Sequence, residues 1–465
     1  MAWLTHRALP ALLVATALAL GGARASAEDN GGRLGPRGSA TSDNSYWYYC
    51  APGLVQTGSA DPLANGRYCA FWLLKNFPLG GDAAPAQNAT AVPGLDVLPV
   101  WRTTRGAGVT VAVVDTGVDR GSADLAPNLL PGRNTYDGND DTSDGAGHGT
   151  VIASVIGAPA GNGGYVGIAP DAKILPVKVM GGSSGRDWSD GAVVRGIEYA
   201  LARGAKVVNL SLGGLNTPIA GIETALADAR RAGALVVIAA GNDGVVLDDP
   251  RYTESPDGYG LSNTLTVADF TTRNTLAADS NYGARHVQIA SLGAVLWGDY
   301  PGSATGGYLG GSSAAAAAVS GVAALLFAAN PSATAAQVRR AIIVGANKEV
   351  PALQGKVEAN GLLSATGALA ALAHPDTTPP SAFRVDGPRL AFRSRGAAAI
   401  RFAWQPASDP ELEGYALTID GRTTILPPGA TGFRSALRAG RHHWSVSAYD
   451  LSGNRTGGTP PAGRR

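Results

Sequence analysis

Two patterns in the 465-residue chain predict an α/β domain built on a parallel sheet, followed by a smaller all-β sandwich. Between residues 109 and 346, short apolar runs such as VTVAVV, AKILPVKV, KVVNLSL and ALVVIAA alternate with helix-like stretches such as residues 188–203 and 217–232. Buried strands separated by helices are typical of a parallel sheet with helices on both faces, which gives three layers. After residue 381, short runs such as AIRFAWQ and HHWSVSAYD are separated by Gly, Pro and Asn, which favours a β-sandwich.

Residues 1–27 have the composition of a signal peptide. A short basic start is followed by an apolar run and then by Ala25-Ser26-Ala27, a small-x-small sequence suited to signal peptidase. The apolar run is shorter than the roughly 20 residues that a membrane-spanning helix needs. We therefore expect cleavage after Ala27, export from the cell and a mature chain without a membrane anchor.

The charge balance argues against a nucleic-acid-binding protein. Lysine and arginine total 37 and aspartate and glutamate total 36, so the formal net charge is +1, and no basic run occurs. Binding to a phosphate backbone requires a concentration of positive charge that this sequence lacks. A hydrophobic content of 45% is typical of a globular protein with a large buried core.

Residues 28–96 are rich in Gly, Pro and Asn and contain the chain's two cysteines, Cys50 and Cys69. In an exported protein such a pair is more often a disulfide than a metal or redox site. The bridge would close a loop of about 20 residues, and in the loop-entropy model it would stabilise the protein by about 3 kcal/mol. We predict a disulfide-stapled N-terminal extension or pro-segment.

The remaining boundaries follow from changes in composition. Residues 97–372 carry the alternating strand and helix patterns, including a helix near 313–329 that is apolar on every side, as a buried central helix would be. The stretch HPDTTPPS marks a linker at residues 373–380. Residues 381–465 then hold the closely spaced strands of the predicted sandwich.

Two candidate catalytic residues follow from position and from elimination. Asp115 ends the run VTVAVVD, at the carboxyl end of a buried strand, where open α/β sheets place their sites. Of six histidines, four fall in the signal peptide, the linker or the C-terminal region, which leaves His148 and His286. Glycines flank His148 and let the backbone approach a neighbour closely where a helix begins. His286 opens a strand and is expected to face solvent.

Asn242 and Ser313 complete a set suited to nucleophilic catalysis. Asn242 follows a buried strand, where its amide could donate to a developing negative charge, although the Asn-Asp-Gly sequence also favours a plain turn. Ser313, in GGSSAAAAAVSG, stands at the first turn of the buried helix, where free N–H groups favour an oxyanion. Alone, this stretch fits an alanine-rich helix equally well. Together the residues supply the hydroxyl, base, carboxylate and oxyanion donor that such chemistry needs.

The order and the flanking sequences of these residues resemble the subtilisin-like serine peptidases. The resemblance rests on VAVVDTGV around Asp115, HGTVIASVIG from His148, NLSLGG at 209–214, AAGN at 239–242 and GSSAAAAAVSGVAALL from Gly311. It covers the middle of the chain. It implies a three-layer α/β/α domain that cleaves peptide bonds, with a protein or peptide as substrate and no cofactor required for the chemistry.

The resemblance also implies a role for each residue. Ser313 would attack the scissile carbonyl, His148 would transfer the proton and Asp115 would orient the imidazole. Asn242 and the Ser313 backbone N–H would bind the oxyanion. Part of the substrate-binding set would pair with extended substrate backbone, and the rest would line the pocket for the residue before the cleaved bond. The implied substrate-binding residues are Ser211, Leu212, Gly213, Gly214, Ala240 and Gly241.

Around the nucleophile the sequence departs from the family's usual GTSMAxPH pattern. Ser312, Ala314, Ala317 and Ala318 stand where the family has Thr, Met, Pro and His. Serine keeps the hydroxyl of threonine, but the loss of Pro and His removes a rigid helix start and a buried polar contact. A placement error near 1 Å can lower a rate about 100-fold. The alternatives are therefore a catalytically weakened or inactive binding or scaffold protein of the same fold, and an esterase that uses the same residues.

The acidic loop YDGNDDTSDGAG, residues 136–147, is a candidate site for a structural Ca²⁺ ion. Carboxylate oxygens are the ligands that this cation prefers. A solvated loop rich in turns explains the same composition, because the spacing of an EF-hand is absent. Calcium is therefore an open expectation.

The C-terminal region resembles a fibronectin type III-like domain. The resemblance rests on Trp404, on Tyr415 in YALTIDG, and on the closing segment HHWSVSAYDLSGN. These aromatic residues are expected to be buried. Since no aromatic stripe marks a ligand-binding face, we expect this region to act as a spacer or stabiliser.

Overall fold

The computed structural model describes residues 95–458 with short gaps, together with the strands at 76–77 and 92–93. The gaps are residues 161–164, 182–186, 253, 257–260, 272, 294–295, 302–306, 395–396 and 439. The predicted signal peptide and the predicted Cys50–Cys69 disulfide lie outside the described residues. Both stay predictions.

Strands and helices alternate through the first part of the described chain. The strands are β1 (Asn76–Phe77), β2 (Val92–Pro93), β3 (Thr110–Asp115), β4 (Arg133–Asn134), β5 (Lys173–Lys178), β6 (Met180–Gly181), β7 (Asp187–Trp188), β8 (Val207–Leu210), β9 (Gly214–Leu215), β10 (Leu235–Ala239), β11 (Glu254–Ser255), β12 (Thr264–Phe270), β13 (Ile289–Leu292), β14 (Leu296–Gly298) and β15 (Gly307–Leu309). The helices are α1 (Val97–Trp101), α2 (His148–Gly157), α3 (Asp190–Ala202), α4 (Ile222–Arg231), α5 (Ser312–Ala329), α6 (Ala335–Val344) and α7 (Ala365–Ala373).

A seven-stranded sheet in the order β13-β12-β10-β8-β3-β5-β4 forms the centre, and every neighbouring pair in it is parallel. Side chains alternate across the sheet, so Val111 and Val113 pack on one face while Ala112 and Val114 pack on the other. Helices α2, α5, α6 and α7 cover the first face, and α3 and α4 cover the second. The predicted parallel sheet with helices on both faces is confirmed.

Helix α5 lies in the middle of the first layer. Its run of alanines is buried almost throughout, because small side chains let it approach the sheet closely. Among the described residues, this helix is the one long and apolar enough to cross a membrane, but 83% of that span is buried inside the protein. Its hydrophobicity is accounted for by its place in the core. The site residues at its start are therefore held on a rigid element.

Helix α4 begins later than the sequence pattern predicted. The pattern placed a helix at residues 217–232, whereas the structure has Ile222–Arg231. The preceding residues 214–215 form strand β9, which pairs with β11, and Gly221 with a φ of 84° opens the helix. Residues 217–221, which the sequence pattern assigned to the start of the helix, instead form an irregular turn between β9 and Gly221.

The C-terminal region consists of two antiparallel sheets. Their strands are β16 (Arg389–Ser394), β17 (Ala397–Ala403), β18 (Leu412–Ile419), β19 (Arg422–Leu426), β20 (Gly432–Leu437), β21 (Trp444–Asp450) and β22 (Arg455–Gly457). The sheet orders are β16-β17-β20 and β19-β18-β21-β22. One hydrophobic cluster contains residues from both sheets, including Phe402, Tyr415 and Val446. The predicted all-β region is confirmed, and its assignment as a fibronectin type III-like sandwich stays a prediction.

Helix α6 connects the two parts of the chain through adjacent arginines. The Arg339 side chain is 3% exposed, and its Nη2 lies 2.9 Å from Glu413 Oε1 on β18 and 3.3 Å from Glu358 Oε2. Arg340 contacts both carboxylate oxygens of Glu411, which lies just before β18. These ion pairs fix the C-terminal sheets against the layer that contains α5.

Candidate active site

The last residue of β3, Asp115, contacts a histidine at the start of α2. Asp115 is fully buried, and its Oδ1 lies 2.7 Å from Nδ1 of His148, the first residue of α2. The same oxygen accepts a hydrogen bond of 2.7 Å from the Thr116 backbone N–H. An ionised carboxylate can only accept hydrogen bonds, so Nδ1 of the imidazole is the donor. A neutral His148 is thereby held in the tautomer whose Nε2 can accept a proton.

The start of α2 is held by an acidic residue whose role the sequence did not reveal. Asp144 is buried, although it belongs to the loop considered for calcium. Five donors bind its carboxylate: the backbone N–H groups of Ala146, Gly147 and Thr150, and the hydroxyls of Thr116 and Thr150. A carboxylate at a helix N-terminus stabilises the free N–H groups there. Asp144 therefore serves to position His148, and the calcium expectation for the rest of the loop stays a prediction.

Gly149 makes the approach between α2 and β3 possible. A Cβ atom at this position would lie 2.1 Å from the Gly117 carbonyl oxygen and 3.1 Å from the Asp115 Cβ. Real side chains do not tolerate the first distance. The glycine after His148 is thus required for the contact between the imidazole and Asp115, as the flanking glycines suggested.

Ser313 lies in the first turn of α5 and lines a cavity that His148 also lines. The cavity has a volume of about 810 Å³, and both His148 and Ser313 line it. The Ser313 Oγ lies 3.4 Å from the Ser211 carbonyl oxygen. Other lining residues that the sequence singled out are Ser211, Leu212, Gly213, Gly214, Ala239, Gly241 and Asn242. Ala240 does not line the cavity, because it is fully buried in a separate cluster with residues such as Leu247 and Phe270.

Asn242 contacts the start of α5 with its amide oxygen. Its Oδ1 accepts a hydrogen bond of 2.9 Å from the Ser312 backbone N–H. Because a backbone N–H can only donate, this bond fixes which end of the amide is oxygen and leaves the Nδ2 hydrogens for other partners. Gly311, with a φ of 87°, makes room for the amide, since a Cβ there would lie 2.9 Å from Oδ1.

Comparison with known proteins identifies the family. The sequence model described as "Subtilase family" matches residues 106–367, which is more than half of the chain. The chain belongs to the subtilase family. It is accordingly a serine-type endopeptidase. The predicted membership of the subtilisin-like peptidases is confirmed.

Relatives of this subtilase include characterised proteases. Thermitase from Thermoactinomyces vulgaris is 38% identical over 249 residues, which cover 53% of this chain and 84% of thermitase. M-protease from Shouchella clausii is 38% identical over 234 residues, covering 50% of this chain and 58% of M-protease. Among solved structures, a protease from Pseudoalteromonas arctica matches with a TM-score of 0.53 and 29% identity, covering 60% of this chain and 94% of that one.

A further solved structure resembles the subtilase at similar coverage. MycP1, solved with its N-terminal propeptide removed, matches with a TM-score of 0.50 and 28% identity. The match covers 59% of this chain and 94% of the MycP1 chain. The shared part is thus nearly the whole of the solved MycP1 chain.

Sequence reasoning missed part of the lining of the subtilase cavity. Five lining residues had no assigned role: Thr116, Met180, Trp188, Thr217 and Asp243. Met180 and Trp188 are brought together by the antiparallel pairing of β6 with β7. A pair of two-residue strands leaves no periodic pattern in the sequence, so only the isolated tryptophan could have drawn attention to this part of the lining.

His286 lies apart from the cavity of the subtilase. Its Nδ1 is 3.0 Å from Asp248 Oδ1, and its side chain is 35% exposed. It stands three residues before β13 and is not a lining residue. His148 is therefore the histidine that shares the cavity with Ser313.

A buried carboxyl group of the subtilase lies beside Gly311, the residue that precedes α5. Asp269, on β12, is 4% exposed, and a Cβ at Gly293 would lie 2.6 Å from its Oδ1. Burial, reinforced by the charge of Asp279, raises the pKa of Asp269 to about 7, although the backbone N–H groups of Gly293 and Gly311 act in the opposite direction. The ionised form is thus disfavoured in the folded protein.

Replacing Asp269 with asparagine is expected to change the pH dependence of stability. Because the folded pKa lies above the ordinary 3.8, the folded state retains a proton that the unfolded state loses, and stability falls as pH rises from about 4 to 7. Roughly three pKa units correspond to about 4 kcal/mol. The variant should melt at a higher temperature than the parent at pH 8 and gain little at pH 4. Melting curves in a Ser313→Ala background avoid autolysis; parallel pH profiles would refute the assignment.

Proposed function

We propose that this subtilase is an exported endopeptidase that hydrolyses peptide bonds through an acyl-enzyme on Ser313. The observation that carries the proposal is the 2.7 Å contact between His148 Nδ1 and Asp115 Oδ1, at the wall of the cavity that Ser313 also lines. A buried carboxylate bound to an imidazole that shares an accessible cavity with a hydroxyl has the composition of a catalytic triad.

In the proposed mechanism, the Ser313 hydroxyl attacks the scissile carbonyl carbon while His148 Nε2 accepts its proton. The buried Asp115 carboxylate stabilises the imidazolium that forms and keeps the ring oriented. His148 then donates that proton to the departing amine, and the acyl group remains on Ser313. A water molecule, deprotonated by His148, attacks the ester, and release of the carboxylic acid returns the proton to the serine.

The proposed oxyanion donors are the Asn242 side chain and the Ser313 backbone N–H. Since Ser312 N–H binds the amide oxygen of Asn242, the amide nitrogen is available to donate to the substrate. The Ser312 hydroxyl accepts a 3.1 Å hydrogen bond from the Gly241 N–H. Serine can therefore make this contact in place of the family's threonine, because the contact requires only a hydroxyl. Two converging donors stabilise charge that develops only in the transition state.

Replacing Asn242 with aspartate is expected to lower kcat by about 10² to 10³, a magnitude carried over from the corresponding asparagine of subtilisin. Aspartate keeps an oxygen for the Ser312 N–H, so the turn is preserved, but it removes the donor and places a negative charge beside the oxyanion. KM and the melting temperature should change little. Steady-state kinetics on a chromogenic peptide provide the measurement, and a kcat equal to that of the parent would exclude Asn242 from this role.

The proposed substrate lies along residues 211–213, with its backbone paired to this segment. Ser211, Leu212, Gly213 and Gly241 line the same cavity as Ser313. Met180, Trp188 and Leu212 supply apolar surface at which a substrate side chain could be buried. Recognition through backbone pairing is independent of sequence, so we expect broad specificity with a preference for an apolar residue upstream of the cleaved bond.

We further propose that the chain is exported with cleavage after Ala27, that Cys50 and Cys69 form a disulfide, and that residues 381–465 form a fibronectin type III-like sandwich. The composition of the N-terminus supports the first two. The shared cluster of the two C-terminal sheets supports the third, together with the edge-to-face contact between Phe383 and Tyr415 at 5.6 Å. N-terminal sequencing of protein from the culture medium tests the export proposal.

Labelling with a fluorophosphonate tests the catalytic proposal directly. Only an activated serine reacts with this reagent, so the proposal predicts stoichiometric labelling on the tryptic peptide that contains Ser313. A folded protein that remains unlabelled would favour the inactive scaffold. Labelling together with ester turnover and no peptide cleavage would instead favour an esterase.

A further inference from the structure

A chain of buried hydrogen bonds connects the body of α5 to the nucleophile at its start. The Ser320 hydroxyl donates to Asn209 Oδ1 at 2.9 Å, and Asn209 Nδ2 donates to the Ser211 hydroxyl at 2.9 Å. The Ser211 hydroxyl in turn donates to the Ser313 carbonyl oxygen at 3.0 Å. Each donor in this series, here called the Ser320 relay, has a defined acceptor, so the relay runs in one direction toward Ser313.

At its end, the relay contacts Ser313 through two groups of Ser211, the hydroxyl and the backbone carbonyl. While the Ser211 hydroxyl binds the carbonyl of Ser313, the Ser211 carbonyl lies 3.4 Å from the Ser313 hydroxyl. Ser211 also begins the segment proposed to bind the substrate backbone. The relay thus sets the position of the nucleophile relative to the segment that presents the scissile bond.

Asn209 is an unexpected residue for its place in the sheet. It lies on β8 between β3 and β10, pairs with Val113 and Val237, and is fully buried. An apolar side chain of similar size would avoid the cost of burying an amide. A buried amide at this position is therefore better explained by the hydrogen bonds it directs than by stability.

Ser320 also departs from the pattern of its surroundings. It is fully buried within the apolar helix α5, where a serine hydroxyl would otherwise bind the carbonyl four residues earlier. Instead it donates across the interface to a strand 111 positions away in the sequence. The first turns of α5 carry alanines, whose side chains end at Cβ, so the relay supplies the polar anchorage that they do not.

We infer that Asn209 and Ser320 are positioning residues for Ser313, acting through Ser211. The inference rests on the proposed function, since it assigns them to the acylation step at Ser313. Loss of the relay frees the Ser211 side chain to rotate and releases the first turn of α5 from its anchor. Because misplacement of a reacting group by about 1 Å costs about 100-fold, we expect a partial release to lower kcat about tenfold with KM unchanged within about twofold.

Two variants separate positioning from a merely structural role. Ser320→Ala leaves the Asn209 amide oxygen buried without its donor, so both kcat and the melting temperature should fall. Asn209→Leu combined with Ser320→Ala replaces both partners by apolar groups, which should restore the melting temperature. The inference predicts that kcat and the rate of fluorophosphonate labelling stay about tenfold low in the double variant.

A matched control is Ser364→Ala, which removes the N-cap hydroxyl of α7, a bond of 3.1 Å to the Gly367 N–H. It should lower the melting temperature and leave kcat at the parent value. The inference is overturned if kcat recovers together with the melting temperature in the double variant, or if Ser320→Ala has the parent kcat. Absence of labelling and hydrolysis in the parent protein would instead refute the proposed function itself.

Discussion

Replacing Ser313 with alanine is expected to lower kcat for peptide hydrolysis by about 10⁶-fold, a magnitude carried over from removal of the nucleophilic serine of subtilisin itself. The fold should be unaffected. The Ser313 hydroxyl makes a 3.4 Å contact with the Ser211 carbonyl, and alanine is the better helix former at this first-turn position of α5. Loss of activity with an unchanged melting temperature would therefore report the chemical step alone.

The measurement is the rate of release of a chromophore from a peptide substrate, with fluorophosphonate labelling on the same preparations. Ser332→Ala is a suitable control, because Ser332 is exposed beyond the end of α5 and lies outside the cavity. It should keep the parent kcat. Undiminished hydrolysis by the Ser313→Ala variant would mean that another residue is the nucleophile.

The central sheet could be predicted from the sequence because each of its main strands is a short apolar run that can be recognised without knowing its neighbours in the sheet. The run VTVAVV is apolar at every position except Thr110, lies between Gly108 and Asp115, and appears as the strand Thr110–Asp115. Strands that face helices on both sides need this composition, so their pattern survives without knowledge of the neighbours. The start of α4 was misplaced because residues 217–221, which follow β9, form an irregular turn that ends at Gly221 with its φ of 84°.

Only some residues of the candidate site could be predicted from the sequence. The difference lies in where each residue stands along the chain and in how far away its hydrogen-bond partners are. Asp115, His148, Asn242 and Ser313 stand at strand ends or helix starts, where an isolated polar residue in an apolar context is noticeable. Asp144 and the members of the Ser320 relay work through hydrogen bonds to distant residues. Such bonds depend on three-dimensional register, which the spacing along one chain does not reveal.

The structure shows how the start of α5 is held although alanines replace the Pro and His of the usual family pattern near Ser313. The sequence suggested that alanine at positions 317 and 318 would loosen the start of α5. Two polar contacts anchor that start instead: the Gly241 N–H binds the Ser312 hydroxyl, and the Ser211 hydroxyl binds the Ser313 carbonyl. The start of α5 is therefore anchored to Gly241 and Ser211, which follow two neighbouring strands of the sheet.

Replacing Arg339 with methionine is expected to lower the free energy of unfolding by about 3 to 5 kcal/mol, the cost of breaking a buried ion pair from one side. Arg339 binds Glu413, Glu358 and the Thr264 carbonyl, and its Nε donates to that carbonyl at 2.8 Å. Methionine fills much of the same space but leaves the Glu413 carboxylate buried without its cation. Chemical denaturation in a Ser313→Ala background gives the measurement without autolysis.

The effect of this substitution should grow with pH. Burial raises the pKa of Glu413, and the charge of Arg339 opposes that rise. Without the arginine the pKa rises further, so the folded state must give up a proton at a greater cost as pH increases above the ordinary value of 4.5. The variant should therefore be closer to the parent in stability at pH 5 than at pH 8.

A second substitution distinguishes an uncompensated charge from lost packing. If the buried carboxylate causes the instability, Glu413→Gln in the Arg339→Met background should recover much of the loss and remove its pH dependence, because the amide carries no charge. Arg231→Met is the matched control, since Arg231 pairs with Asp228 on the exposed side of α4 and should change stability by less than about 1 kcal/mol. A loss that is equal in the single and double variants would show that Arg339 acts through its aliphatic packing, and the C-terminal sheets would then be held by shape and not by this ion pair.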